Sequence, residues 1–156
     1  MEIEMKWRKP IPLRSGARQG MIYTFEESLL PKPNKAGIYV FARMVHEYVI
    51  PLYIGQGGDL KQRIQQQFNN LKLMKGIEKA PPGKRRLMIA RVKLRPGQNQ
   101  DSVLKVAEKA CIESALSQGF ELLNKQGVKE KVHSIVSHYR YANFRPFPKV
   151  MKLKEK

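Results

Sequence analysis

Residues Gly37 to Arg63 read GIYVFARMVHEYVIPLYIGQGGDLKQR. Two apolar runs, Ala36–Met44 and Tyr48–Ile54, are rich in Ile, Val, Tyr and Phe, the side chains that suit a pleated surface. Only His46-Glu47 breaks them with strong polarity, so the pattern predicts an antiparallel hairpin. Gly55 to Asp59 then forms a glycine turn. Asp59, with Gln62 three residues on, has the form of a capping box, which predicts a helix starting at Leu60. Leu60, Ile64, Phe68 and Leu71 recur at helical spacing as its buried stripe, with Arg63, Gln67 and Asn70 at the stripe's edge. That helix is expected to fray near Lys75-Gly76. The arrangement sets Tyr39 and Tyr53 on adjacent strands and Arg63 in the helix that follows.

Upstream, residues 1–34 read as an irregular N-terminal arm. Pro10, Pro12, Pro31 and Pro33 interrupt any helix, with Arg8, Lys9, Arg14 and Arg18 between them. Met21–Phe25 reads as a short edge strand and Glu26–Leu30 as a single turn. Two readings stand: an arm packed on the domain through Trp7, Ile22 and Tyr23, or a basic arm along a phosphate backbone.

Downstream, Lys75–Arg86 reads as a basic loop broken by Pro81-Pro82-Gly83, and Leu87–Leu94 as a third strand. A second helix is expected from Asp101, as N-cap, to Gln118, with Gly119 as its stop. Val103, Ala107, Ala110, Cys111 and Ser114 make a narrow, small-residue face suited to close packing on a sheet. Phe120–Leu123 reads as a short strand or turn ending at Asn124, and Val128–His138 as weakly helical. Tyr139–Pro148 interleaves aromatics with arginines. That pattern suits phosphate contacts with base stacking, or a segment wrapped back onto the core. Pro148–Lys156 reads as a lysine-rich tail. The chain shows no internal repeat, and residues 1–156 read as one domain with a core at 36–125 and a basic, aromatic C-terminal extension at 126–156.

With 156 residues, the chain is long enough for one hydrophobic core. Thirty Lys and Arg against thirteen Asp and Glu give a formal charge of +17. Such an excess favours polyanionic partners, nucleic acid above all. No apolar run approaches the roughly 20 residues of a membrane span, and MEIEMKWRKP lacks the apolar region of a signal peptide. A single cysteine, Cys111, permits no internal disulfide, so a reducing, cytoplasmic setting is expected.

The glycine turn does not make a dinucleotide site: Leu60 stands where G-x-G-x-x-G needs its third glycine, and no P-loop Lys-Ser/Thr follows. His46, His133 and His138 are scattered, no Gly-x-Ser-x-Gly occurs, and close Cys/His spacing for zinc is missing. What remains is two tyrosines, one arginine and a helix carrying two glutamates. Phosphodiester cleavage can use that set. A carboxylate holds a divalent metal, arginine grips the phosphate through two donors, and a tyrosine hydroxyl orients or relays a proton for the attacking water.

Gly37-Ile38-Tyr39, then Tyr53-Ile54-Gly55, then Arg63 ten residues after Tyr53, resemble the signature of the GIY-YIG nuclease family. The resemblance covers roughly Ala36 to Lys125. It implies an α/β domain of the α+β type, with a three-stranded antiparallel sheet flanked by helices. It also implies hydrolysis of DNA phosphodiester bonds with one divalent metal, Mg²⁺ or Mn²⁺. By the same resemblance, Tyr39 assists deprotonation of the nucleophile, Tyr53 lines the site and Arg63 neutralises the phosphate. Gly55, Gln67 and Asn124 have supporting places. The metal carboxylate is Glu113, eleven residues before Asn124, or Glu108, sixteen before it with Ile112 at the following helical position. The family often carries His or Tyr where Gln67 stands, and glutamine moves no proton at neutral pH. The gap between the two tripeptides, thirteen residues from Tyr39 to Tyr53, is slightly long.

The expectation is therefore a metal-dependent endonuclease acting on double-stranded DNA, as a monomer or homodimer. Lys61, Lys84, Arg85, Arg86, Arg140 and Arg145 are the expected DNA contacts. The rival is a nucleic-acid-binding module that keeps the fold without turnover.

Overall fold

A computed structural model of the chain describes residues 2–124, 130–139 and 146–155. In chain order the elements are β1 (Glu2–Trp7), β2 (Ile11–Pro12), β3 (Arg14–Ser15), β4 (Tyr23–Thr24), β5 (Gly37–Val45), β6 (Tyr48–Gly57), α1 (Leu60–Phe68), α2 (Leu71–Lys79), β7 (Lys84–Lys93), α3 (Gln100–Ser117), β8 (Glu130–Tyr139) and β9 (Val150–Glu155). Short 3-10 turns cover Ala17–Gln19 and Glu27–Leu29.

The expected hairpin forms: β5 and β6 pair antiparallel, with Val45 opposite Tyr48 and His46 at a positive φ of 55° in the turn. The third strand, β7, pairs antiparallel with β5. The class is α+β as expected, but the sheet is not three-stranded. It has seven strands in the order β6-β5-β7-β1-β8-β9, with β2 also on β7. β1 runs antiparallel to β7 and parallel to β8, so the sheet is mixed.

The extra strands come from segments whose local signals point elsewhere. Glu2–Trp7 is no arm. Ile3, Met5 and Trp7 alternate onto the buried side, a period of two that the later prolines obscure. β8 replaces the weak helix expected over Val128–His138, and β9 replaces the expected tail. Neither segment has strong apolar alternation, and their pairing is supplied by β1 and by each other. Of the two readings of the aromatic segment, its ends wrap onto the core: Trp7 stacks with Tyr139 (centroids 5.7 Å apart) and with Phe147 (5.5 Å). Residues 140–145 lie outside the described residues, and with them Arg140 and Arg145.

Alternation along the strands splits the interior into two layers. Ile38, Val40, Ala42, Ile54, Met88 and Ala90 face α3, together with Val103, Ala107, Ala110 and Cys111. Tyr39, Phe41, Leu87 and Ile89 face the opposite way, toward Leu60, Ile64 and Phe68 of α1 and Met74 and Ile77 of α2. Each fully buried large side chain here stabilises by about 1.5–3 kcal/mol.

Helix α1 begins where Asp59 predicts it, its side chain accepting from the Gln62 amide at 3.2 Å. It ends sooner than expected. Asn70 caps a new helix by accepting from Leu73 N at 3.1 Å, and Leu71 is exposed rather than part of the stripe. Lys75–Arg86 is accordingly not one loop: its start lies in α2 and its end in β7. Gly76 sits inside α2, where an added Cβ meets only the flexible Leu123 side chain, at 3.1 Å. Asn99, two residues before the expected Asp101, caps α3 by accepting from Ser102 N. Gly119 past its end takes a φ of 85°. Among the described residues no helix is long and apolar enough to cross a membrane.

Candidate active site

Register brings the two tyrosines together. Tyr39 stands opposite Gly55 and Tyr53 opposite Phe41, so both rings lie on the α1/α2 face, their centroids 6.3 Å apart. Gly55 has a steric reason to be glycine. A Cβ there would lie 2.3 Å from Cζ and the hydroxyl of Tyr39, whose ring lies across the bare backbone. Gly57 does the same more loosely for Arg63, whose Cβ would be 3.0 Å from an added Cβ.

Helix α1 supplies the polar partners. Gln67 is buried and donates from Nε2 to the Tyr39 hydroxyl at 2.6 Å and, weakly, to the Tyr53 hydroxyl at 3.5 Å. Its Oε1 accepts from Asn70 Nδ2 at 3.2 Å. The capping bond fixes which end of each amide points where. Asn70 Oδ1 must face the Leu73 N–H, so its Nδ2 faces Gln67, so Gln67 Nε2 faces Tyr39. The Tyr39 oxygen is thus an acceptor from the protein, and its own proton is left to donate. The network runs from a helix cap to a tyrosine hydroxyl without a competing donor pair.

Burial pushes the Tyr39 phenol up to about 12, despite the Gln67 hydrogen bond and the nearby Arg63 guanidinium, which both lower it. Tyr39 is fully buried and neutral at physiological pH. Tyr53 is half-buried and Arg63 exposed, so these two meet the solvent. Gln67 binds the tyrosines and not the outside, which differs from a phosphate-facing role.

The carboxylates lie in the other layer. Gln100 packs against Gly58, so α3 begins at the glycine turn, and it runs beneath β6. At about 1.5 Å per residue, Glu108 is about 12 Å and Glu113 about 20 Å along α3 from that end, while Tyr53 is about 13 Å back along β6. Glu113 Oε2 is buried with no hydrogen-bond partner, as are Trp7 Nε1 and Ser137 Oγ among the described residues. A buried anionic oxygen without a partner is costly, and a cation offsets that cost. Glu108 borders Cys111, whose buried thiol is pushed well above its usual range, first by burial and then by this carboxylate. Cys111 is no nucleophile.

The two layers meet around the edge of β6. Leu123 N donates to Leu52 O at 2.7 Å, and Asn124 clamps both backbone groups of Ile54, accepting from its N–H at 2.9 Å and donating to its carbonyl at 2.7 Å. Asn124 thus imitates a neighbouring strand beside Tyr53 and Gly55. The chain passes from α3 around this edge to α2, where Leu123 touches Gly76.

The expected DNA contacts divide. Lys61 lies in the first turn of α1, and Lys84 begins β7 on the surface. Arg85 is occupied internally, donating to the carbonyls of Ile77, Ala80, Pro81 and Gly83 at 2.9–3.0 Å, which closes the end of α2. Arg86 donates to the Arg85 carbonyl. Asn70 is the site residue that sequence reasoning undervalues; its signal is a polar cap residue just before the Leu73, Met74 and Ile77 stripe. Among the described residues no three His, Cys, Asp or Glu side chains converge. A single carboxylate suits Mg²⁺ or Mn²⁺, which retain waters and take phosphate oxygens, better than zinc. In comparisons with known proteins, the chain matches no family model, no curated protein and no solved structure.

Proposed function

We propose that the chain is a metal-dependent endonuclease that hydrolyses phosphodiester bonds of double-stranded DNA. The observation that carries this reading is the Asn70–Gln67–Tyr39 network, which aligns a pair of tyrosines beneath an exposed arginine. A buried polar network of this kind holds side chains in one geometry, as positioning for catalysis requires. The net charge of +17 supplies the attraction for a polyanion.

In this mechanism Arg63 takes the scissile phosphate. Its guanidinium counters charge as the water oxygen bonds to phosphorus and the P–O bond to the leaving sugar oxygen breaks. The water gives up one proton to solvent and the leaving oxygen takes one from it. Tyr53, the more accessible tyrosine, orients the attacking water. Tyr39, neutral up to about pH 12, does not deprotonate that water itself but fixes Gln67 and its partner ring behind it. A divalent cation, Mg²⁺ or Mn²⁺, supplies Lewis acidity and lowers the pKa of bound water. Glu113 would hold it, its Oε2 being buried without a partner, with Glu108 earlier on the same helix the second candidate.

Plasmid cleavage with Mg²⁺ or Mn²⁺ tests the site. Arg63→Ala is expected to lower the single-turnover rate on the order of 100-fold or more. Of Glu113→Gln and Glu108→Gln, the one that removes the metal ligand should abolish metal-dependent cleavage while the other leaves it within about threefold. Cleavage that survives all three changes overturns the site. The high Tyr39 pKa and the buried Gln67 favour a second reading, a DNA-binding module without turnover, and binding with no cleavage in either metal would establish it.

A further inference from the structure

On the same sheet face as the tyrosines, beyond α1, a groove of about 710 Å³ runs between the Pro31–Lys35 segment and strands β1 and β7. Its lining carries six cations, Lys6, Arg8, Lys32, Lys35, Arg91 and Lys93, and no carboxylate. On the same outer row of β1, Glu4 stands opposite Lys93, but Glu2 and Glu4 are held by Arg95 at 2.8 and 3.4 Å. Among the described residues none of the six makes an ion pair.

The register makes this cluster costly. Lys6 stands directly opposite Arg91 on paired strands, where like charges repel. Opposite charges at these two exposed positions would serve folding better, so the arrangement points to a bound polyanion that relieves it. The row also leads to the site. Lys6 pairs with Arg91, Arg91 with Gly37 and Gly37 with Gly57, over which Arg63 lies. At about 4.8 Å per strand, Arg91 is about 10 Å from the Gly57 position, the rise of about three nucleotides of one strand.

We infer that this groove is a second nucleic-acid site, holding the phosphate backbone of duplex DNA flanking the bond at Arg63. A duplex fits better than a lipid surface: the groove is concave and its apolar members Trp7 and Val92 are buried, leaving nothing to insert into a bilayer. The flanking position rests on the nuclease reading; the polyanion site does not.

The test is fluorescence anisotropy of a labelled duplex of about 20 base pairs across a salt series. It uses the full chain carrying Lys6→Gln, Arg91→Gln and Lys93→Gln together. Losing three phosphate contacts should lower the slope of log K against log salt by about 2.7 and weaken binding on the order of 100-fold near 0.15 M salt. A control with equal charge removed, Lys72→Gln, Lys75→Gln and Lys105→Gln, should lose far less. The melting temperature of the groove variant should stay or rise, since a like-charge pair is gone. Unchanged slope and affinity in the groove variant, or equal loss in the control, overturns the inference. So does a variant that loses binding to phosphatidylserine vesicles but keeps its duplex affinity. If the wild-type chain never cleaves yet the groove variant loses its slope, the groove stands and the nuclease reading falls. If cleavage persists while groove substitutions leave binding unchanged, the reverse holds.

Discussion

The two faces of the sheet are built to different rules. On the α1/α2 face, the polar cluster is satisfied from within: Asn70 orients Gln67, Gln67 donates to Tyr39, and the rings close over Gly55. On the α3 face, packing is apolar and close, and Glu113 Oε2, like Trp7 Nε1 and Ser137 Oγ, is buried with no partner. The first face is complete as it stands. The second leaves polar atoms without partners. The contrast teaches that the fold satisfies one polar cluster from within and leaves a carboxylate oxygen of the other face open.

The most direct way to break the first face is Gly55→Ala. The new Cβ must displace a fully buried Tyr39 ring, so unfolding free energy should fall by about 3 kcal/mol, measured by urea denaturation. Gly57→Ala is the milder comparison, because its added Cβ meets the Arg63 Cβ at 3.0 Å, a contact that a shift of a few tenths of an ångström relieves; a loss of about 1 kcal/mol is expected there. Equal losses at both glycines would show that Tyr39 is not locked by the bare backbone.

The second face is sharpened by metal. At 100 times its dissociation constant, Mn²⁺ should stabilise the wild-type chain by about 2.7 kcal/mol, read as a rise in melting temperature. The rise should vanish in Glu113→Gln if that oxygen is the ligand, and in Glu108→Gln if the earlier carboxylate of the helix is the ligand instead. A smaller effect is expected from Gln67→Leu, which strips the donor from Tyr39 and the acceptor from Asn70. It should cost about 1–3 kcal/mol.

The mildest test is alkaline pH. Tyr39 has its folded pKa raised from 10.0 to about 12, so its contribution is fully present below pH 10 and is lost as pH rises through about 12. Stability followed between pH 10 and 12 should fall less in Tyr39→Phe. In the wild type one tyrosine should resist ionisation over the same range by ultraviolet titration. A chain whose tyrosines all titrate near pH 10 would mean the ring is not enclosed.

Much of the first face was legible. The β-rich runs around His46-Glu47, the Asp59 cap and the Leu60, Ile64, Phe68 stripe are local signals, and each formed as read. The break at Asn70 was less visible because Leu71 continues the apolar count while its side chain turns outward. The α3 boundaries shifted by a residue or two because Asn99 competes with Asp101 as cap. Arg85 could not be told from its basic neighbours, since its four carbonyl acceptors come from a helix end folded back upon it.

Sequence by itself determined the hairpin, the glycine turn, the start of α1 and, within a residue or two, the span of α3, because propensity, capping and period act within a few neighbours. Tertiary structure decided the rest. It made Glu2–Trp7 a central strand, since pairing with β7 and β8 comes from segments over eighty residues away. It turned Gln67 inward to Tyr39 instead of toward phosphate, and it set the α3 carboxylates across the sheet from the tyrosines, joined to them around the edge of β6 that Asn124 clamps. Those outcomes depend on which face each strand buries and which edge it leaves open, and long-range pairing alone sets both.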